Sequence, residues 1–180
     1  SESLKLMDGG TFNFSNTSVS GVESIAIGTN SIFNITLTDN FSSDGSSITL
    51  TNATGSAVTG GLNVNASALS GDILVISATN FNGADIFTGG SGADIFRPGG
   101  GSDTMAGNGG NDNFVGSVSD LNGDTIADLA TGDMITLTGV TGLSTSNVRF
   151  NSTSTLEVDT DATDFNISEL TLALINAPGN

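Results

Sequence analysis

The chain has 180 residues, 19 acidic against three basic, a net charge of −16, and no cysteine, histidine, tryptophan or tyrosine. That inventory excludes disulfides, a Ser-His-Asp or Cys-His constellation, a zinc-hydroxide centre and a tyrosine acid. With Lys5, Arg97 and Arg149 as the only cations, a nucleic-acid or anionic-lipid surface is excluded too, and no run of about 18 apolar residues exists to form a membrane-spanning helix.

Residues 1–78 are rich in Ser, Thr, Asn and β-branched side chains and show almost no helical period. Short strands are expected at Val22–Ile27, Phe33–Thr38, Ser47–Thr51, Leu62–Ala66 and Asp72–Ser77. Turn signals at Asp44-Gly45, Gly60-Gly61 and Gly71-Asp72 separate them. Alternation of Leu, Ile and Val with Asn and Thr buries one face of each strand, and spacings of roughly 10–14 residues suit two strands per coil. Asn-x-Ser/Thr sequons, including Asn34 and Asn65, carry no weight in such a composition.

Over residues 80–115 four nonapeptides follow one another: N-F-N-G-A-D-I-F-T, G-G-S-G-A-D-I-F-R, P-G-G-G-S-D-T-M-A and G-N-G-G-N-D-N-F-V. Each places an aspartate (Asp85, Asp94, Asp103, Asp112) after a run of Gly, Asn and Ser, and a large apolar residue two positions later (Phe87, Phe96, Met105, Phe114). The first part of each unit suits turns and the last three residues a short strand, and so regular a period points to a solenoid. Two units then close one coil, successive coils stack as parallel strands roughly 4.8 Å apart, Asp85 lies over Asp103, and Asp94 lies over Asp112.

Carboxylates stacked so closely repel, and the turns around them present peptide carbonyls without ladder partners. A bound cation relieves both problems. An all-oxygen set of two carboxylates and several carbonyls suits calcium, which takes 6–8 flexible ligands, better than magnesium with its strict octahedron. Zinc or copper would want His or Cys.

The repeat resembles that of the RTX, or hemolysin-type, calcium-binding proteins, whose unit is G-G-x-G-x-D-x-(large apolar)-x. Gly89 to Arg97 matches at every position. The unit at Asn80 lacks both leading glycines, the unit at Pro98 has proline first and an extra glycine third, and the unit at Gly107 has Asn108 in place of the second glycine. All four keep the fourth glycine (Gly83, Gly92, Gly101, Gly110). The resemblance implies calcium held between turn n and turn n+2 by carboxylates and turn carbonyls. One such pair joins Asn80, Asn82, Gly83 and Asp85 to Gly99, Gly100, Gly101 and Asp103. The other joins Gly89, Gly90, Ser91, Gly92 and Asp94 to Gly107, Gly109, Gly110 and Asp112.

After Gly116 the period breaks, because Leu121 falls where a fifth aspartate is due, and a cap over the last coil is expected from there. The stretch G-D-T-I-A-D-L-A-T-G-D-M-I-T-L, residues 123–137, resembles the closing segment of RTX domains, with Ile126 and Leu129 as apolar contacts and Gly132-Asp133 as a turn. Asp120, Asn122, Asp124 and Asp128 are read either as a further calcium site or as plain turn and cap chemistry. Final strands are expected at 148–158 and 169–175, the second alternatively a short helix. Asp159 to Asp164 is read either as another cation site or, since it lacks the glycine and late glutamate of an EF-hand, as a solvated acidic loop.

These readings combine into an all-β fold: a right-handed parallel β-helix or β-roll with calcium-binding turns and a C-terminal β cap. Its three parts are spacer coils over 1–78, calcium-binding coils over 79–116, and a cap with any secretion signal over 117–180. The segments G-V-E-S-I-A-I and I-F-N-I-T-L-T-D are similar to spacers beside RTX repeats in large surface proteins, and read equally as ordinary strands. The opening residues lack a basic start followed by an apolar core, so no cleavable leader is expected within them. The expected function is non-catalytic: carboxylates alone remain for catalysis, and no Trp or Tyr stacks a sugar ring. The resemblance implies export by type I secretion machinery and calcium-driven folding outside the cell. The parent would then be a surface-layer protein or adhesin, assembling with itself or a cell-surface glycan. The alternative is an export and folding cassette behind an extracellular hydrolase or epimerase.

Overall fold

Alternating apolar and polar residues carry the chain into strands that bury every second side chain. In the computed structural model, residues 2–15, 21–28, 31–39, 41, 46–142, 148–152, 155–160 and 170–175 are described. The first strands are β1 (Glu2–Leu6), β2 (Gly10–Asn13), β3 (Val22–Ile27), β4 (Phe33–Thr38), β5 (Ser47–Asn52), β6 (Leu62–Ala68) and β7 (Ile73–Ser77). The nonapeptides supply β8 (Ile86–Thr88), β9 (Ile95–Arg97), β10 (Thr104–Ala106) and β11 (Asn113–Ser117). A one-turn helix, α1 (Val118–Leu121), precedes β12 (Thr125–Ile126), β13 (Met134–Thr138), β14 (Val148–Ser152), β15 (Thr155–Val158) and β16 (Leu170–Leu174).

From β1 to β13 the odd strands form one parallel sheet and the even strands the other, so each coil gives one strand to each. This is a parallel β-roll, and the spacer coils run into the nonapeptide coils without a break through β5–β7–β9 and β4–β6–β8 pairing. Units 18 residues apart superimpose: Phe87 pairs with Met105 and Phe96 with Phe114. The inward Phe33, Phe87, Phe96, Met105, Phe114 and Ile126 are fully buried in one continuous core. The rings of Phe96 and Phe114 stack at 5.4 Å. Of the outward isoleucines, Ile86 is exposed and Ile95 half-buried.

The coil does not stop at Gly116. β12 pairs parallel with β10, and β13 with β11, which adds a further circuit before any cap. The nine-residue count fails because α1 is inserted. Ser117 and Asp120 close a capping box on it, and Leu121 turns into the core. Behind this insertion the spacing resumes between Asp124 and Asp133, with Gly132-Asp133 forming the expected turn into β13. Among the described residues the cap extends the even-numbered sheet: β16 runs parallel to β12, and β15 and β14 follow antiparallel. Residues 170–174 are strand, not helix. The Asp44-Gly45 turn and Asp161 to Asp164 of the acidic loop lie outside the described residues, while Asp159 is buried.

Candidate metal centre

Parallel stacking aligns the aspartates in two columns, one at the entry to each sheet. In the first, the main-chain N–H of Leu62 donates to Asp85 Oδ1 (2.8 Å), that of Asp85 to Asp103 Oδ1 (2.9 Å), and that of Asp103 to Asp124 Oδ1 (2.8 Å). In the second, Leu74 donates to Asp94 (2.7 Å), Asp94 to Asp112 (2.8 Å), and Asp112 to Asp133 (2.9 Å). Each expected pairing, Asp85 with Asp103 and Asp94 with Asp112, is therefore present, and each column gains a member from the additional circuit.

The second carboxylate oxygens divide the columns. The Oδ2 atoms of Asp85, Asp103, Asp112 and Asp124 are buried without a hydrogen-bond partner, whereas Asp94 Oδ2 accepts from Gly90 N–H (2.8 Å). Three consecutive orphaned oxygens thus belong to the first column. An unpaired buried acceptor costs about 1–3 kcal/mol, more when charged. Orphans repeated from coil to coil fit a hard oxygen-seeking cation.

The turns are too tight for side chains. A Cβ at Gly101 would collide with the Gly83 carbonyl, one at Gly110 with the Gly92 carbonyl, and one at Gly89 with the Asp94 carboxylate and the Gly107 carbonyl. A Cβ at Gly107 would strike the Asp112 carboxylate, and one at Gly99 the carbonyls of Ala78 and Phe81. Asn108 takes the left-handed conformation itself (φ 65°), which explains why asparagine replaces glycine there. Its Nδ2 donates to the Gly89 carbonyl at 2.7 Å.

The expectation that turn carbonyls lack partners holds only in part. Gly90 O accepts from Gly109 N–H, Phe81 O from Gly100 N–H and Asn80 O from Val58 N–H, because stacked turns continue a ladder of their own. Ser91 Oγ accepts from Gly71 N–H, and Asn82 Oδ1 lies beside Gly100. The residues that converge on the columns are the aspartates, Gly90 through its N–H to Asp94 Oδ2, and the close-packed Gly83, Gly89, Gly92, Gly101, Gly107 and Gly110.

Burial raises the affinity of these carboxyls for protons. It pushes Asp85, Asp94 and Asp112 up from 3.8 to about 6, while hydrogen bonds from Leu62, Leu74 and Asp94 N–H pull the other way. Asp124 rises to about 7 and Asp103 to about 8, burial again leading and neighbouring aspartates adding repulsion. A positive charge in the column would reverse that bias.

Past Gly116 the roles separate. Asp124 joins the first column, but Asp120 Oδ2 accepts from Ser117 N–H in the capping box, and Asn122 Oδ1 from Thr171 N–H in the cap. Asp128 binds the N–H groups of Gly107 and Asn108 at 2.9 and 2.7 Å. Asp133, absent from the expected set, would have been found by restarting the count of nine at Asp124. Among the described residues no group of three or more acidic side chains is placed so that it could hold a metal ion.

Comparison with protein-family models, with curated proteins and with solved structures finds no match to this chain.

Proposed function

We propose that the chain is a non-catalytic calcium-binding module of RTX type, whose folding is driven by Ca²⁺ outside the cell. The parent would be a secreted surface-layer protein or adhesin exported by type I secretion machinery. The observation that carries the cation reading is the run of buried, partnerless Oδ2 atoms on Asp85, Asp103 and Asp124. Asp85, Asp103 and Asp124 would hold one series of ions, and Asp94, Asp112 and Asp133 the other. Bound calcium supplies the positive charge that keeps these carboxylates ionised. The aspartates aim their Oδ1 atoms at the preceding coil, and the glycines bring each turn against the next, so the donors exist only once two coils have stacked. Binding free energy is then folding free energy.

A dissociation constant in the range of about 10⁻⁴–10⁻³ M, as for extracellular modules, leaves such a chain metal-free in a cytosol and loaded outside. The test is a titration of the chelator-treated protein with Ca²⁺ and with Mg²⁺, followed by far-ultraviolet circular dichroism. Calcium is expected to produce β structure at millimolar or lower concentration with magnesium ineffective. Equal folding in chelator, or equal response to both ions, would overturn the reading.

A further inference from the structure

We propose that the outer face of the even-numbered sheet around β4, β6 and β8 binds an uncharged polysaccharide. Register places Asn34, Asn63, Ile86 and Thr104 in one outward row, and Thr36, Asn65, Thr88 and Ala106 in the next. Neither row holds a charged side chain, in a chain with 19 acidic residues. The opposite sheet carries Lys5, Glu23 and Arg97. A shallow trough of about 280 Å³ crosses the two rows, lined by Asn34, Thr36, Asn63, Asn65, Ile86 and Thr88.

The amides of the trough are ordered. Asn63 Nδ2 donates to Asn34 Oδ1 (2.8 Å), and Asn65 Oδ1 accepts from Ser67 N–H and Oγ–H. What remains for a ligand is the Nδ2 of Asn34 and Asn65, the Oδ1 of Asn63, and two threonine hydroxyls. Neutral donors and acceptors repeated about every 4.8 Å along the roll axis suit the hydroxyls of a sugar chain lying along it.

Other ligand classes fit less well. An anionic polymer meets a net charge of −16 and finds no cation in either row. An extended peptide needs an open strand edge, but β4, β6 and β8 are each paired on both sides. Ile86, 50 % exposed, offers a large apolar surface in the trough, for the C–H face of a sugar ring. With no Trp or Tyr to stack on it, affinity per site is weak and grows by multivalency. The inference rests on this face alone, so it and the calcium reading stand or fall separately.

The test is affinity electrophoresis of the calcium-loaded full chain in native gels containing dextran, galactomannan or hydroxyethylcellulose. At least one polymer is expected to retard the wild type. Asn63→Asp and Ile86→Asp should each weaken that retardation at least tenfold, and Thr49→Asp on the opposite sheet should change it less than twofold. Thermal melts identify which variants are folded, and one folded variant of the pair decides the outcome. No retardation by any of the three polymers overturns the proposal, as does equal loss in Thr49→Asp. Sedimentation showing that the wild type self-associates through this face, with Ile86→Asp monomeric, would assign it to a second copy instead and equally overturn it.

Discussion

Asp103 satisfies one oxygen with the Asp85 N–H and leaves the other buried without a partner. Asparagine keeps the acceptor and removes the charge. In chelator at neutral pH, Asp103→Asn is expected to raise the melting temperature, because folding no longer has to protonate a carboxyl that is ionised in the unfolded chain. In saturating calcium it should lower it, because a ligand is lost. Melts under both conditions check this crossing of signs, and a shift of one sign in both would mean that no cation uses the column. At Asp94, whose two oxygens accept from Leu74 and Gly90 N–H, the same change sets an amide NH2 against one of those donors, so the gain in chelator should be smaller or absent. That the aspartates stack coil over coil was legible from the period of nine. That its carboxylate would first be used by the preceding coil's N–H was not, since a main-chain donor leaves no mark in the sequence.

At the scale of the element, a coil is two short strands joined by turns that pass without room for a methyl group. Gly107→Ala drives a Cβ into the Asp112 carboxylate and is expected to cost about 1–3 kcal/mol as an overpacking change, read from denaturant midpoints in calcium. Phe96→Ala removes a fully buried ring stacked on Phe114, with an expected loss of about 3–5 kcal/mol. Five of the seven spacer strands were legible because Leu, Ile and Val alternate with Asn and Thr, and their observed bounds differ by at most two residues at any end, whereas β1 and β2 were not expected. The last circuit was obscured by α1. Its capping box absorbs Asp120 and sends Leu121 inward, so a rigid count of nine loses Asp133 although the geometry does not. The cap's pairing was hidden as well, since β16 joins β12 across more than forty positions of chain.

For the molecule as a whole, raised carboxyl pKa values set a pH dependence. Without metal, Asp85, Asp94 and Asp112 hold their protons up to about 6, Asp124 to about 7 and Asp103 to about 8, against 3.8 ordinarily. The folded chain then binds more protons than the unfolded chain across that span. Stability in chelator therefore falls as pH rises from about 4 towards 8. If calcium binds as proposed, it is expected to invert the slope, since it would hold the same groups ionised when folded. Urea midpoints at stepped pH, with chelator and with calcium, measure both, and parallel profiles would count against the metal reading.

The latching along each column also has an arrow. Asp103 grips Asp85, Asp124 grips Asp103, and Asp133 grips Asp112, always towards the amino terminus. Removing a coil from either end breaks one such bond, but a cut from the rear strands an N–H whereas a cut from the front strands a carboxylate. A shortened roll is therefore left with an unmatched carboxylate at its leading edge or an unmatched main-chain donor at its trailing edge.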